Sequence, residues 1–487
     1  MNRFSIVCIS FAILNMIITP ILFGANNDAR IEKGLATIQP MDPYNYCKKI
    51  SSVEFAGRLT GHEGYTKAAE WAAGKFKQWG LKPLNERDGY LQAYSSPYTV
   101  IQEAEMTLLL PGENGAVKKE TLEIGTGFLP ILYSDSGHHR AKAVFAGWGI
   151  SAPDLNYDDY KGIDVKGKFV VCFRGKPDRS NEKYDKYDHH RFRMKTAKDR
   201  GALGLIYIYP SADANPNGDF IPNFTPAIIN EKAADLLLKE KGLDSKSLKK
   251  ELLDKQKPNS FDLSCEIDYR VVSKHDPKGT GYNVVAYVEG SDPQLKDECV
   301  VMGGHFDHCG LHAGLHFAGA DDNASGSAVV MEIAQAFAAL DVKPKRSVVF
   351  VLFGGEEMGL MGSNYFADHI PSQFKKVDAM FNFDMVGEGD GTGCAVTERS
   401  PQLKEMIQQA DEHVKTLRRT HVIKRVGVRS SDFAPFFLKG AACASFYSNG
   451  PHLHYHRTGD TIYRINPDML ADVAKLAFVS AYKWANR

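Results

Sequence analysis

Seven residues are of the kinds that bind metals or move protons, and six of them come after an apolar run. His305 and Asp307 follow the run 299–303, and Glu356 and Glu357 follow 347–353. Asp384 ends the run 379–383, and His456 lies past 442–446. Asp322 sits in the loop Gly319-Ala320-Asp321-Asp322-Asn323-Ala324-Ser325-Gly326, ahead of a helical run. If the apolar runs are strands of an open α/β sheet, their carboxyl ends form one edge, and such sites are built there. Two imidazoles and three carboxylates suit Zn²⁺, whereas all-oxygen ligation would favour Mg²⁺ or Ca²⁺. Five ligands exceed the need of one open tetrahedral zinc and fit two ions sharing a bridging carboxylate and water. One more carboxylate is then needed to take a proton from water and hand it to a leaving amine.

Singly, each piece has a plain structural reading. A His-x-Asp pair arises by chance, and Asp321-Asp322-Asn323 could cap a helix. Adjacent glutamates usually face water, but this pair follows an apolar run and two glycines. Asp384, between Phe383 and Met385, would be a costly buried charge without a partner. Their occurrence in this order at successive strand ends argues for one centre. His308, His312, His316, His452 and His454 flank it and read as pocket lining or loop residues.

The elements that must hold these residues follow from the hydrophobic pattern. Over 65–76 apolar positions recur every three or four residues, which predicts a helix closed by Gly80. From 98 to 272 short alternating runs, such as 143–150, 168–173 and 204–208, are separated by Pro, Asn, Asp and Gly, with a helix at 195–201. Beyond Gly279, strands at 282–288, 299–303, 347–353, 379–383 and 442–446 alternate with helices at 326–340, 362–370, 401–415 and 467–483. That alternation predicts an α/β fold whose mixed, mostly parallel sheet is sandwiched by helices. The expected division is an amino-terminal part at 40–97, a β-rich insert at 98–272 and the main part at 273–487.

The chain has 487 residues, 43% hydrophobic and 24% charged, with 59 basic and 59 acidic side chains. That composition excludes collagen-like, disordered and polytopic membrane proteins, and zero net charge gives no footing for general nucleic-acid binding. Arg3, an apolar stretch at 4–23 and a polar exit at Asn26-Asn27-Asp28 read as a signal peptide over 1–25. The expected location is secreted or periplasmic, without stable membrane insertion once the signal is removed; an uncleaved anchor is the alternative. Seven cysteines lie beyond that segment without a Cys-x-x-Cys spacing, so no disulfide framework is expected.

The motifs Gly304-His305-Phe306-Asp307-His308, Gly319 to Gly326, Gly355-Glu356-Glu357, Asn382-Phe383-Asp384-Met385, and His456 with Asp460-Thr461 resemble those of the di-zinc aminopeptidase family. That family includes secreted bacterial leucine aminopeptidases, glutamate carboxypeptidase and glutaminyl cyclase. The stretch from Glu54 to Gly61 with its following helix is similar to the family's opening element, and Ser431-Asp432-Phe433-Ala434-Pro435-Phe436 also resembles a family motif. The insert, with Gly147-Trp148-Gly149-Ile150 and Asp164-Val165-Lys166-Gly167-Lys168, resembles a protease-associated domain. The resemblance implies a phosphorylase/hydrolase-like zinc peptidase fold binding two Zn²⁺ per chain. It implies that His305 with Asp384 holds one ion, Glu357 with His456 the other, and Asp322 bridges them. It also implies that Glu356 is the general base, that Asp307 orients His305, and that the Asp322–Asn323 bond is cis. Which of Glu356 and Glu357 is base and which is ligand rests on the resemblance.

The implied activity is a zinc exopeptidase acting on peptides, an aminopeptidase first. A carboxypeptidase or dipeptidase of the glutamate carboxypeptidase type is the alternative; it would need a cation for the substrate carboxylate, and Arg429 is the residue that could supply it. Glutaminyl cyclase chemistry runs with one zinc, and receptor-like members have lost their ligands. Here every ligand position is filled. The insert carries none of the proposed ligands, so its expected role is to wall the cleft, and its excision is expected to leave metal binding possible. Oligomeric state is not legible.

Overall fold

The computed structural model describes residues 29–84, 89–424, 426–427 and 430–487. The expected leader at 1–25 and Arg429 lie outside these residues. Among the described residues, the larger sheet has nine strands. Its centre is the parallel set Ser347–Phe353, Glu298–His305, Lys376–Phe383 and Ala442–Ser448, side by side in that order. The sequence Ser-Val-Val-Phe-Val-Leu-Phe is buried at every position. A strand so uniformly apolar is stable only when both faces are covered. Val348, Phe350 and Leu352 join one core, with residues of the helices Met41–Ile50, Glu63–Gln78, Gly326–Ala338 and Pro467–Ala485. Val349, Val351 and Phe353 join a second core on the opposite face, with Phe366 and Phe436.

Antiparallel strands flank the centre. Thr280–Val288 pairs with Ser347–Phe353 and also carries Leu91–Ser95 and Lys82–Pro83. On the other side Thr392–Thr397 runs antiparallel to Ala442–Ser448, and Leu417–Ile423 runs parallel to it. The sheet is therefore mixed, with its parallel pairs concentrated in the centre. The last two strands have no counterpart in the sequence reading, because Thr-Gly-Cys-Ala-Val-Thr is short and carries a glycine, and Leu417–Ile423 alternates weakly.

Residues 98–276 build a second sheet of eight strands among the described residues, from Tyr98–Pro111 to Ser260–Asp276. It has cores of its own on both faces. The strand expected to run to Ile150 stops at Ala146. Gly147 and Gly149 take left-handed φ angles of 44° and 65°. The chain turns there around Asp159, whose Oδ2 accepts from the N–H groups of Trp148 and Ile150 at 3.0 Å each. Cys47, Cys172, Cys265, Cys299, Cys309, Cys394 and Cys443 are buried free thiols.

Candidate metal centre

Parallel register brings the strand ends together. His305 pairs with Phe353, and Gly303 with Asn382. His305, the Glu356-Glu357 pair and Asp384 therefore emerge at one sheet edge. Asp322 comes from the turn before the helix Gly326–Ala338. Asp460 holds that turn, accepting from the N–H of Asp321 at 2.8 Å and of Asp322 at 3.0 Å. Asn323 Nδ2 donates to the Phe383 carbonyl at 2.8 Å, tying the turn to the strand that carries Asp384. The Asp322–Asn323 bond is cis.

The side chains form two triads that share one carboxylate. The ligand atoms of His305, Asp322 and Asp384 lie within 4.8 Å of one another, as do those of Asp322, Glu357 and His456. His305 Nε2 is 3.2 Å from Asp322 Oδ1 and 3.4 Å from Asp384 Oδ1. His456 Nε2 is 3.3 Å from Asp322 Oδ2 and 2.9 Å from Glu357 Oε2. Asp322 thus turns one oxygen to each imidazole. Asp322 Oδ2 and His456 Nε2 are buried without a hydrogen bond. Buried polar atoms are rarely left so, and a cation placed between these two would satisfy both. Mixed nitrogen and oxygen donors fit zinc.

The protein charges alone are arranged unevenly. Burial works to raise the Asp322 carboxyl, but His305 and His456 outweigh it and hold it well below the usual carboxylate range. Burial, joined by the Asp432 and Glu357 carboxylates, pushes Glu356 well above that range, against the pull of His305. Two adjacent glutamates are thereby separated in basicity. Glu357 gives Oε2 to His456 and Oε1 to His308, the latter at 2.8 Å. Glu356 lines both cavities of the site, one of about 350 Å³ over the triads and one of about 460 Å³ opening toward the second sheet.

Asp307 departs in one respect from its expected role. His305 Nδ1 lies nearer the Asp307 main-chain oxygen, at 3.2 Å, than its carboxylate, at 3.7 Å. The Asp307 carboxylate instead accepts from the Glu356 N–H at 3.2 Å. Among the flanking histidines, His308 braces Glu357, and His452 Nδ1 meets Asp321 Oδ2 at 2.6 Å. His312 supports the loop, through the Cys309 carbonyl at 2.7 Å and the Ile101 N–H at 3.0 Å.

Three supports were not legible in the residue types. Tyr455 stacks on His456, with ring centroids 3.8 Å apart; only its adjacency to the ligand could have signalled it. The His456 ring is fixed by the Ala214 carbonyl, 2.8 Å from Nδ1. Arg58, fully buried, donates to four carbonyls, those of Ile50, Phe306 and Ala318 at 2.8 Å and Gly319 at 2.9 Å. It clamps the segments that carry His305 and Asp322. Beside it Gly57 has φ 66°, and a Cβ there would lie 2.3 Å from the Gly310 oxygen. Arg58→Ala should strand these carbonyls and cost roughly 3 kcal/mol or more. Urea unfolding followed by tryptophan fluorescence checks this; an unchanged midpoint would refute it.

Residues 283–481 match peptidase family M28. Leupeptin-inactivating enzyme 1 of Streptomyces exfoliatus is 31% identical over 174 residues, which are 36% of this chain and 37% of that one. Aminopeptidase YwaD of Bacillus subtilis is 25% identical over 363 residues, 69% of this chain and 67% of that one. The chain thus spans well under half the length of the first relative. A peptidase M28 precursor from Shewanella amazonensis has the same fold, with a TM-score of 0.68 at 20% identity over 95% of this chain and 97% of that one. The M28 match covers every triad residue and Glu356. No helix among the described residues is long and apolar enough to cross a membrane.

Proposed function

We propose that the chain is a zinc-dependent aminopeptidase of the M28 type, and the two triads joined through Asp322 are the observation that carries this reading. His305, Asp322 and Asp384 would hold one Zn²⁺, and Asp322, Glu357 and His456 a second. Bound there, zinc supplies Lewis acidity, lowering the pKa of a water and polarising a carbonyl. The residues do the rest. Glu357, spent on His456 and His308, is the ligand, and Glu356 is the base. Lining both cavities beside the triads, Glu356 is placed to accept a proton from water and return it to the leaving amine. The sequence reading of residues 1–25 as a signal peptide supports export. The second sheet, read as a protease-associated domain, would wall the larger cavity.

Polarity of attack follows from charge. Glu356 and Asp384 beside the triads can receive a free α-ammonium. A carboxypeptidase would need an uncommitted cation. Among the described residues, the arginine lining the larger cavity, Arg174, already donates to the Asp188 carbonyl at 2.8 Å and to its carboxylate, and Arg429, the cation a carboxypeptidase could use, lies outside them. Acetylating the amine of an aminoacyl-anilide or dipeptide should therefore lower kcat/KM by roughly 10⁴-fold. Faster cleavage of the N-acetylated peptide than of the free amine would transfer the assignment to a carboxypeptidase or dipeptidase.

A further inference from the structure

The loop between the strands Gly204–Tyr209 and Ala227–Asn230 belongs to the second sheet, yet it reaches the triads. Ala214 there is buried and makes a reciprocal pair with His456. Its carbonyl faces His456 Nδ1 at 2.8 Å, and its N–H donates to the His456 carbonyl at 2.9 Å. Next to it Arg457 Nε donates to Asp213 Oδ1 at 2.7 Å, and Arg457 also donates to the Ser211 hydroxyl. Ser211 in turn donates to Asp213 Oδ1 at 2.7 Å. His456 has φ 55°, a left-handed conformation seldom adopted outside glycine.

We propose that this loop is part of the metal centre, with Ala214 as the positioning residue for His456 and the Arg457–Asp213 pair as the clamp that holds Ala214 in place. The proposal rests on reading His456 as a ligand. A carbonyl can only accept, so Nδ1 must carry the hydrogen and Nε2 is left with its lone pair toward Asp322 and Glu357. An imidazole needs such a partner to present one nitrogen at a fixed angle. The other triad has no such dependence, because His305 is fixed by the main chain of Asp307 within its own loop. Through Ala214 the second sheet therefore bears directly on the His456 position, whereas the His305 ring takes its support from its own loop. On this reading, excising the insert would weaken the His456 position while still leaving metal binding possible.

The test uses Arg457→Ala and Asp213→Ala in the full chain, with zinc affinities from competition against a chromophoric chelator and with Co²⁺ spectra as a second readout. One of two zinc positions should weaken by about 10–100-fold while the other keeps wild-type affinity. The double variant should be no worse than either single one, since both break the same clamp. Unchanged affinity at both positions, or equal weakening at both, would overturn the proposal. If an alanine variant loses cooperative unfolding, Asp213→Asn, which keeps the shape and removes the charge, is read by the same criteria. A wild-type chain that binds no zinc would instead sink the underlying metallopeptidase reading, which separates the two failures.

Discussion

Glu356→Gln is expected to lower kcat by about 10²–10⁴-fold, the range that general acid–base assistance supplies. Glutamine keeps the size of the side chain and can still accept a hydrogen bond from water, but it cannot take up a proton. The bond from the Glu356 main-chain N–H to the Asp307 carboxylate does not use the Glu356 side chain and should survive. Zinc content should therefore stay at the wild-type level, and KM should change far less than kcat. Glu357→Gln should behave differently. Both Glu357 oxygens face imidazoles, so an amide there must turn a donor toward His456 or His308. Zinc content should fall along with activity. Metal analysis of both variants, alongside kcat, decides the matter. Loss of zinc in Glu356→Gln with retention in Glu357→Gln would mean that the two roles are reversed.

Asp322→Ala is expected to empty both metal positions at once, leaving fewer than about one zinc per chain where the wild type is expected to hold about two. No other residue contributes to both triads. His305→Ala and His456→Ala each touch one triad and should leave the other ion in place. Hydrolysis should vanish on chelation and return with Zn²⁺ or Co²⁺. Full activity in a verified metal-free sample would refute the mechanism, and retention of one tightly held zinc in Asp322→Ala would refute the bridge. The turn carrying Asp322 is also held by Asp460 and Asn323, so the variant should remain folded.

Much of this arrangement is legible without coordinates. Ser347–Phe353 is apolar at nearly every position, and a run that short and that rich in Val and Phe reads as a doubly covered strand. The helix at Glu63–Gln78 follows its three-to-four periodicity, and Pro467 marks the start of the last helix. Carboxylates and imidazoles immediately after such strands would be unpaired buried charge unless they met a partner. That constraint placed His305, Asp322, Glu356, Glu357, Asp384 and His456 at one edge. The strands Thr392–Thr397 and Leu417–Ile423, the second of them at the sheet's edge, escaped because their pattern is short or weakly alternating, and their place depends on an available neighbour.

Residue type and spacing by themselves marked the pool of candidate donors and the sheet edge that gathers it, because imidazole and carboxylate chemistry is written in the side chain and the strand period is written in the hydrophobic pattern; the choice between Glu356 and Glu357 came from the family resemblance. Which groups orient those donors was decided only by the tertiary structure. The supports are main-chain atoms: the Ala214 carbonyl on His456, the Asp307 carbonyl on His305, the four carbonyls on Arg58, and the amides of Asp321 and Asp322 on Asp460. A carbonyl or amide is the same on every residue and leaves no mark on the sequence. Only the close approach of segments such as 214 and 456, far apart along the chain, gives it a role.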